Sequence, residues 1–107
     1  MRFEKLKRYK PMIHADIKKL GPDNPIPMKS LAKRYAISSR VVRDAINELR
    51  TVDHQPICGD NNGYYWPRYK QDWERTTARL GSMVKKLKDA IDGGNSYYEN
   101  TDQKSLF

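Results

Sequence analysis

The sequence predicts a mainly α-helical chain with one small β-hairpin, in the α+β class. Two observations carry this prediction. Apolar residues recur at three- and four-residue intervals in four stretches, which is the periodicity of amphipathic helices. Two short runs, Gln55–Cys58 and Tyr64–Trp66, flank a Gly- and Asn-rich stretch, as the strands of a hairpin flank their turn. A length of 107 residues suits one domain with extensions.

Composition shifts divide the chain into four segments: a basic N-terminal arm (1–10), a compact domain (11–68), a C-terminal helix (69–92) and a flexible tail (93–107). Apolar residues in the arm have helical spacing, so it is either a first helical turn that packs on the domain or a basic arm that lies along a phosphate backbone. Pro11 suits the first position of the first helix, and Gly21-Pro22 suits its end.

The positive charge is concentrated in the first half of the chain. The net charge is +8, and residues 1–51 hold 13 Lys and Arg against 5 Asp and Glu, so this half accounts for all of the excess. Such a distribution is typical of a phosphate-binding face. The single cysteine, Cys58, excludes an internal disulfide. No residues have metal-ligand spacing, so no metal or cofactor is expected. No membrane span or signal peptide is predicted, and an intracellular protein is expected.

The central stretch predicts two helices across a short turn. The second helix covers 27–35, the turn covers 36–38, and the third helix covers 39–50. Ile26 lies between two prolines, is therefore extended, and is predicted to pair with the hairpin. Two helices across a tight turn, followed by a hairpin, are the plan of a winged helix-turn-helix, in which the hairpin is the wing.

The third helix separates into an apolar face and a polar face. Val42, Ala45, Ile46 and Leu49 repeat at three- and four-residue intervals and are predicted to face the core. The residues left toward solvent are Ser38, Ser39, Arg40, Val41, Arg43, Asp44 and Asn47. Arg can bridge the two major-groove acceptors of guanine, Asn can pair with adenine, and Val41 could touch a thymine methyl group. The serines and Arg40, at the start of the helix, can also hold phosphate.

The stretch Ser39-Arg-Val-Val-Arg-Asp-Ala-Ile46 resembles the recognition-helix signature of GntR-type and related winged-helix regulators, Ser-Arg-Thr-Val-Arg-x-Ala-Leu. The resemblance covers about residues 26–66. It implies that Arg40, Val41 and Arg43 contact DNA.

Further DNA contacts are predicted outside the third helix, at Lys29, Lys33, Asn61, Asn62 and Arg68. The two lysines lie off the apolar face of the second helix. The two asparagines lie at the tip of the hairpin, where many wings carry Arg or Lys. This tip carries Asp60 instead, which argues against contact with DNA through the wing.

The fourth helix has an apolar seam with heptad character, formed by Trp73, Thr77, Leu80, Val84, Leu87 and Ile91. Either this helix packs back on the domain, or it pairs with its copy in a homodimer, which would suit a palindromic DNA site. Gly93-Gly94 is predicted to end it. The layout is similar to small winged-helix proteins of Gram-positive bacteriophages, which implies a phage or mobile-element protein in the bacterial cytoplasm.

The last five residues, Gln103-Lys-Ser-Leu-Phe107, resemble the sliding-clamp-binding peptide of bacterial replication and repair proteins, Gln-x-Ser/Asp-Leu-Phe. The resemblance implies that Leu106 and Phe107 fill an apolar clamp pocket, that Gln103 bonds beside it, and that Ser105 occupies the Ser/Asp position. The alternative is an unremarkable frayed terminus.

The function predicted from these observations is sequence-specific binding of double-stranded DNA, in replication or in transcription control. The alternative is a phage protein that captures and inhibits a host protein, for example the sliding clamp, through its tail. An enzyme is least favoured, because the sequence shows no nucleophile–base pair and no Gly-rich phosphate loop.

Overall fold

The computed structural model describes residues 2–100, and the predicted clamp-binding peptide lies outside them. The chain is mainly helical with a two-stranded antiparallel sheet, as the sequence predicts. In order, the elements are α1 (Arg2–Lys18), α2 (Met28–Tyr35), α3 (Ser39–Thr51), β1 (Cys58–Asp60), β2 (Gly63–Tyr65) and α4 (Lys70–Asn100). The residues form two compact units; the first ends at Thr76, and the second begins at Thr77.

Helix α1 begins well before the predicted start at Pro11 and runs through this proline. The boundary predicted at Pro11 is therefore wrong, because residues 2–10 are the first part of α1. The predicted contact of this segment with a phosphate backbone stays a prediction. Leu6 and Tyr9 pack against the same core as Ile13 and Ile17, so one apolar stripe continues across the proline. Pro11 itself lies on the exposed side. Packing of this stripe, chiefly against α3, offsets the hydrogen bond that a proline removes from a helix.

The turn between α2 and α3 is closed by backbone hydrogen bonds and by one serine. Ala36 ends α2 in the left-handed conformation, with φ 53° and ψ 45°. The N–H of Ile37 donates to the carbonyl of Ala32 at 3.0 Å, and the Ile37 side chain is buried. The Ser38 hydroxyl accepts a hydrogen bond from the Val41 N–H at 3.2 Å, so Ser38 is the N-cap of α3.

The hairpin pairs Cys58 with Tyr65 and Asp60 with Gly63, and Ile26 adds a third, single-residue strand to its edge. Ile26 exchanges two backbone hydrogen bonds with Tyr64, at 2.8 and 2.9 Å, which confirms the predicted pairing. Gly63 makes this approach possible, because a Cβ atom there would lie 2.3 Å from the Ile26 carbonyl oxygen and its φ is +139°. The turn itself is only Asn61-Asn62, shorter than the predicted five-residue loop.

Helix α4 begins where Asp72 binds the preceding backbone. The buried Asp72 carboxylate accepts from the N–H groups of Arg68, at 2.8 Å, and Tyr69, at 3.0 Å, so it satisfies donors that the helix start leaves unpaired. These bonds, first the one from Tyr69, hold the pKa of Asp72 below its usual range. One turn later the buried Thr76 hydroxyl accepts from the Gly59 N–H at 3.2 Å and so holds β1.

The end of α4 lies beyond the predicted one. The helix continues through Gly93 and Gly94 to Asn100, so the predicted helix at 69–92 is too short. Of the predicted tail at 93–107, the described part is helical, and the remainder lies outside the described residues. Glycine lowers helix stability by about 1 kcal/mol relative to alanine, but unlike proline it leaves the hydrogen-bond ladder intact.

Candidate nucleic-acid interface

One face of α3 presents Arg40, Arg43 and Asn47 to solvent, and we call these residues the α3 stripe. Their spacing of three and four residues places them on one side of a helix with 3.6 residues per turn. The side chains of Arg40 and Arg43 make no hydrogen bond or ion pair with any residue between 2 and 100. Each guanidinium therefore keeps its planar set of donors available for an anion or a base edge.

The start of α3 adds to the positive potential of the stripe. The first turn contains no acidic residue, so nothing in it offsets the partial positive charge of the helix N-terminus. The Ser38 hydroxyl is occupied by the cap, although its side chain is exposed. Ser39 is half-buried. The groups that can bind phosphate at this end of α3 are therefore mainly the backbone N–H groups of the two serines and the side chain of Arg40.

Val41 does not face solvent, and its predicted contact with a thymine methyl group is wrong. Only 2% of the residue is exposed, and it belongs to the same core as Val42, Ala45 and Ile46. The reason is that α3 packs against both α1 and α2, so its buried face is wider than a contact with one helix requires. Its neighbour Asp44 is half-buried beside the α3 stripe. A carboxylate there repels phosphate but can accept a hydrogen bond from cytosine.

The opposite end of α3 carries both Glu48 and Arg50 and is tied to α1. The Lys10 ammonium lies 2.7 Å from a carboxylate oxygen of Glu48 and 2.8 Å from one of Asp53. These partners, Asp53 first, raise the pKa of Lys10 above its usual value. Sequence reasoning missed this contact, since 38 residues separate Lys10 from Glu48. Free positive charge on α3 is therefore concentrated near its N-terminus, where the two arginines lie.

Helix α2 carries two kinds of basic residue. Lys29 and Lys33 are exposed, and within residues 2–100 neither forms an ion pair. Arg34, in contrast, lies 3.0 Å from a carboxylate oxygen of Asp16, and the Tyr35 hydroxyl donates to that same oxygen. Burial, followed by the bond to Asp16, raises the pKa of Tyr35. Lys29 and Lys33 are therefore available for contact with an anion, and their predicted binding of DNA stays a prediction. Arg34 instead serves the contact between α1 and α2.

At the hairpin, the acidic residue of the tip has a structural role. The Asp60 carboxylate accepts from the N–H groups of Asn62, at 2.8 Å, and Gly63, at 3.2 Å, which fixes the turn. Asn61 and Asn62 are exposed at the turn, as predicted. Arg68 is less available than predicted, because its guanidinium donates to Asp23 at 3.0 Å.

His14 is half-buried, and its ring centroid lies 5.7 Å from that of Trp66. Its Nε2 atom is buried and has no hydrogen-bond partner among the described residues. The Lys18 ammonium lies 5.4 Å from the Trp66 ring centroid, on a side of α1 away from the apolar stripe. Trp66 therefore joins the end of the hairpin to α1.

Comparison of the chain with protein-family models, with curated proteins and with solved structures gave no match. Between residues 2 and 100, every helix is too short or too polar to cross a membrane. The same residues include no group of three or more His, Cys, Asp or Glu side chains that could hold a metal ion.

Proposed function

We propose that this chain is a winged helix-turn-helix protein that binds double-stranded DNA by inserting α3 into the major groove. The observation that carries the proposal is the α3 stripe, Arg40, Arg43 and Asn47, on the exposed face of the second helix of a helix–turn–helix pair. An α-helix fits the major groove of B-DNA, and Arg and Asn are the side chains that recognise guanine and adenine there.

The hairpin supports the same proposal. It follows α3, and Ile26 pairs with its second strand, β2, which is the arrangement of strands expected beside the helices of a winged helix. The Asp60 carboxylate is bonded to the turn backbone, and the exposed amides of Asn61 and Asn62 form the turn itself. These amides can donate to phosphate oxygens. The wing in this proposal positions the protein, and α3 selects the sequence.

Lys29 and Lys33 of α2, with the N-terminus of α3, supply contacts to the phosphate backbone. Such contacts fix the position of a protein on DNA, carry no sequence information, and weaken steeply with salt. Catalytic activity is not part of the proposal. The clamp-binding role of Gln103–Phe107 remains a separate proposal that rests on the sequence motif, and it would tether a DNA-bound protein to the replication machinery.

The test is selection of bound sequences from random duplex DNA at two salt concentrations, followed by titration of the selected duplex. Arg40→Ala and Arg43→Ala should each weaken binding to the selected site by about 1–3 kcal/mol and relax the base preference at one position. The matched control is Arg79→Ala with Lys86→Ala, which removes two exposed positive charges from α4. The control should leave the base preference unchanged.

Two outcomes contradict the proposal. One is selection that yields no sequence motif at the higher salt concentration. The other is a selected motif whose affinity is unchanged in both arginine variants, which would assign the reading of bases to a different surface.

A further inference from the structure

Helix α4 carries a line of apolar residues, of which the first is half-buried and the other three are exposed. Leu80, Val84, Leu87 and Ile91, which we call the α4 seam, are spaced four, three and four residues apart. Val84, Leu87 and Ile91 expose 65%, 66% and 63% of their surface. Single exposed apolar residues are ordinary, but a continuous line of them marks an interaction surface.

The spacing of the seam identifies the kind of partner that it fits. An alternation of four and three residues is a repeat of 3.5, which keeps a seam facing one partner helix along a left-handed coiled coil. The β-branched residues Val84 and Ile91 occupy the a positions of this heptad, and Leu80 and Leu87 occupy the d positions. This distribution favours two parallel strands over three or four.

We propose that the α4 seam binds a second copy of this chain, and that the two α4 helices form a parallel two-stranded coiled coil. The proposal does not depend on DNA binding. It concerns the seam and the residues that flank it on α4.

The residues beside the seam are compatible with this partner. In a parallel pair, a g position faces the following e position of the other helix. Met83 would then lie against Lys88 of the second copy, and Ala90 against Asn95, so no like charges oppose each other. The strongly charged positions, Lys85, Lys86, Asp89 and Asp92, fall on the outer side of the helix and are exposed.

A second copy also explains how this helix is stabilised. Most helical stability in proteins comes from packing of an apolar face rather than from intrinsic helix propensity. Gly81, Gly93 and Gly94 weaken the helix further, because glycine has a low helix propensity. Apart from the nearby backbone of the helix itself, no described atom lies within 4 Å of the position that a Cβ would take at these glycines. Pairing along the seam supplies the packing that this part of the chain lacks when it is alone.

The first experiment is sedimentation equilibrium of the full chain over a wide range of concentration. The expected result is a monomer–dimer equilibrium that Leu87→Lys shifts to monomer. Ser82→Lys is the matched control, because it adds the same charge on the outer side of the same helix, and it should leave the dimer intact. Trp66 and Trp73, both in the first unit, allow fluorescence to verify that each variant remains folded there.

Three results would overturn the proposal: a monomer at every concentration, a dimer that Leu87→Lys leaves unchanged, or a trimer or tetramer. If the dimer is found but DNA binding fails, the proposed function is wrong and the seam assignment is retained. If DNA is bound but no dimer is found, the seam assignment is wrong and the proposed function is retained.

Orientation is tested with Leu80→Cys near the start of the seam. In a parallel pair the two introduced thiols face each other and should form an intermolecular disulfide under mild oxidation. In an antiparallel pair centred on Leu87 they lie at opposite ends of the seam and stay unlinked. The native cysteine, Cys58, is buried, so the unsubstituted chain, which should remain unlinked, is the control. A dimer without this disulfide would overturn the parallel arrangement.

Discussion

Helices α1 and α4 have similar apolar patterns and different surroundings. In α1, Ile13 and Ile17 are fully buried, because α3 packs against their stripe. In α4, Ile91 is 63% exposed although it lies on an equally regular stripe. The comparison shows that an amphipathic pattern indicates an apolar surface suited to packing. The pattern does not show whether that surface is buried in the folded chain.

The largest expected effect comes from truncating one isoleucine in each helix. Ile13→Ala should lower the free energy of unfolding of the first unit by about 2–5 kcal/mol, because it leaves a cavity in the core. Ile91→Ala should change it by less than about 0.5 kcal/mol. Urea denaturation followed by tryptophan fluorescence measures both, since both tryptophans lie in the first unit. Equal losses in the two variants would abolish the distinction between the two helices.

A pair of glycine substitutions gives the next largest effect. Gly63→Ala should destabilise the first unit by about 1–3 kcal/mol, because its φ is +139° and the new methyl group would overlap the Ile26 carbonyl. Gly81→Ala meets open space on α4 and should instead increase helix content, with a gain of about 0.5–1 kcal/mol. Circular dichroism and urea denaturation would show opposite signs. A Gly63→Ala protein as stable as the original would mean that Ile26 does not pair with the hairpin.

The smallest effect, which depends on pH, concerns Asp72 at the start of α4. Because hydrogen bonds in the folded state lower its pKa, Asp72 adds stability that is fully present above the pKa of an unfolded aspartate, about 3.9, and is lost as the pH falls through the lower, folded value. Asp72→Asn should therefore lower the urea midpoint at neutral pH, and the difference from the original chain should shrink in acid. Asp89→Asn, on the exposed side of α4, is the control for the loss of one carboxylate from the helix.

Local rules predicted much of the first unit. The prolines around Ile26 indicated its extended backbone, and the spacing in α3 indicated the burial of Val42, Ala45, Ile46 and Leu49. They also indicated that Arg40, Arg43 and Asn47 face solvent. The same rules failed where distant residues decide. Val41 is buried because a second helix packs on α3, and Pro11 lies inside a helix because tertiary packing outweighs its local cost.

The candidate site shows the same limit. The exposure of Lys29 and Lys33 follows from helical periodicity. The pairing of Arg68 with Asp23 joins residues 45 positions apart, and no local pattern indicates it. No local pattern indicates the contact of Asp16 with Arg34 and Tyr35 either. In this contact Arg34 holds α1 against α2, so the exposed basic residues of α2 that remain for binding are Lys29 and Lys33.

Cys58 gives the molecule an internal reporter. It is the sole cysteine of the sequence; its side chain is buried in β1, and burial raises the pKa of its thiol. A protonated, inaccessible thiol reacts slowly with alkylating reagents, so labelling requires β1 to open. The Thr76 hydroxyl, which accepts from the Gly59 N–H beside this cysteine, links that opening to the first turns of α4. The rate of thiol modification thus measures, at this one position, how often the hairpin detaches from its supports.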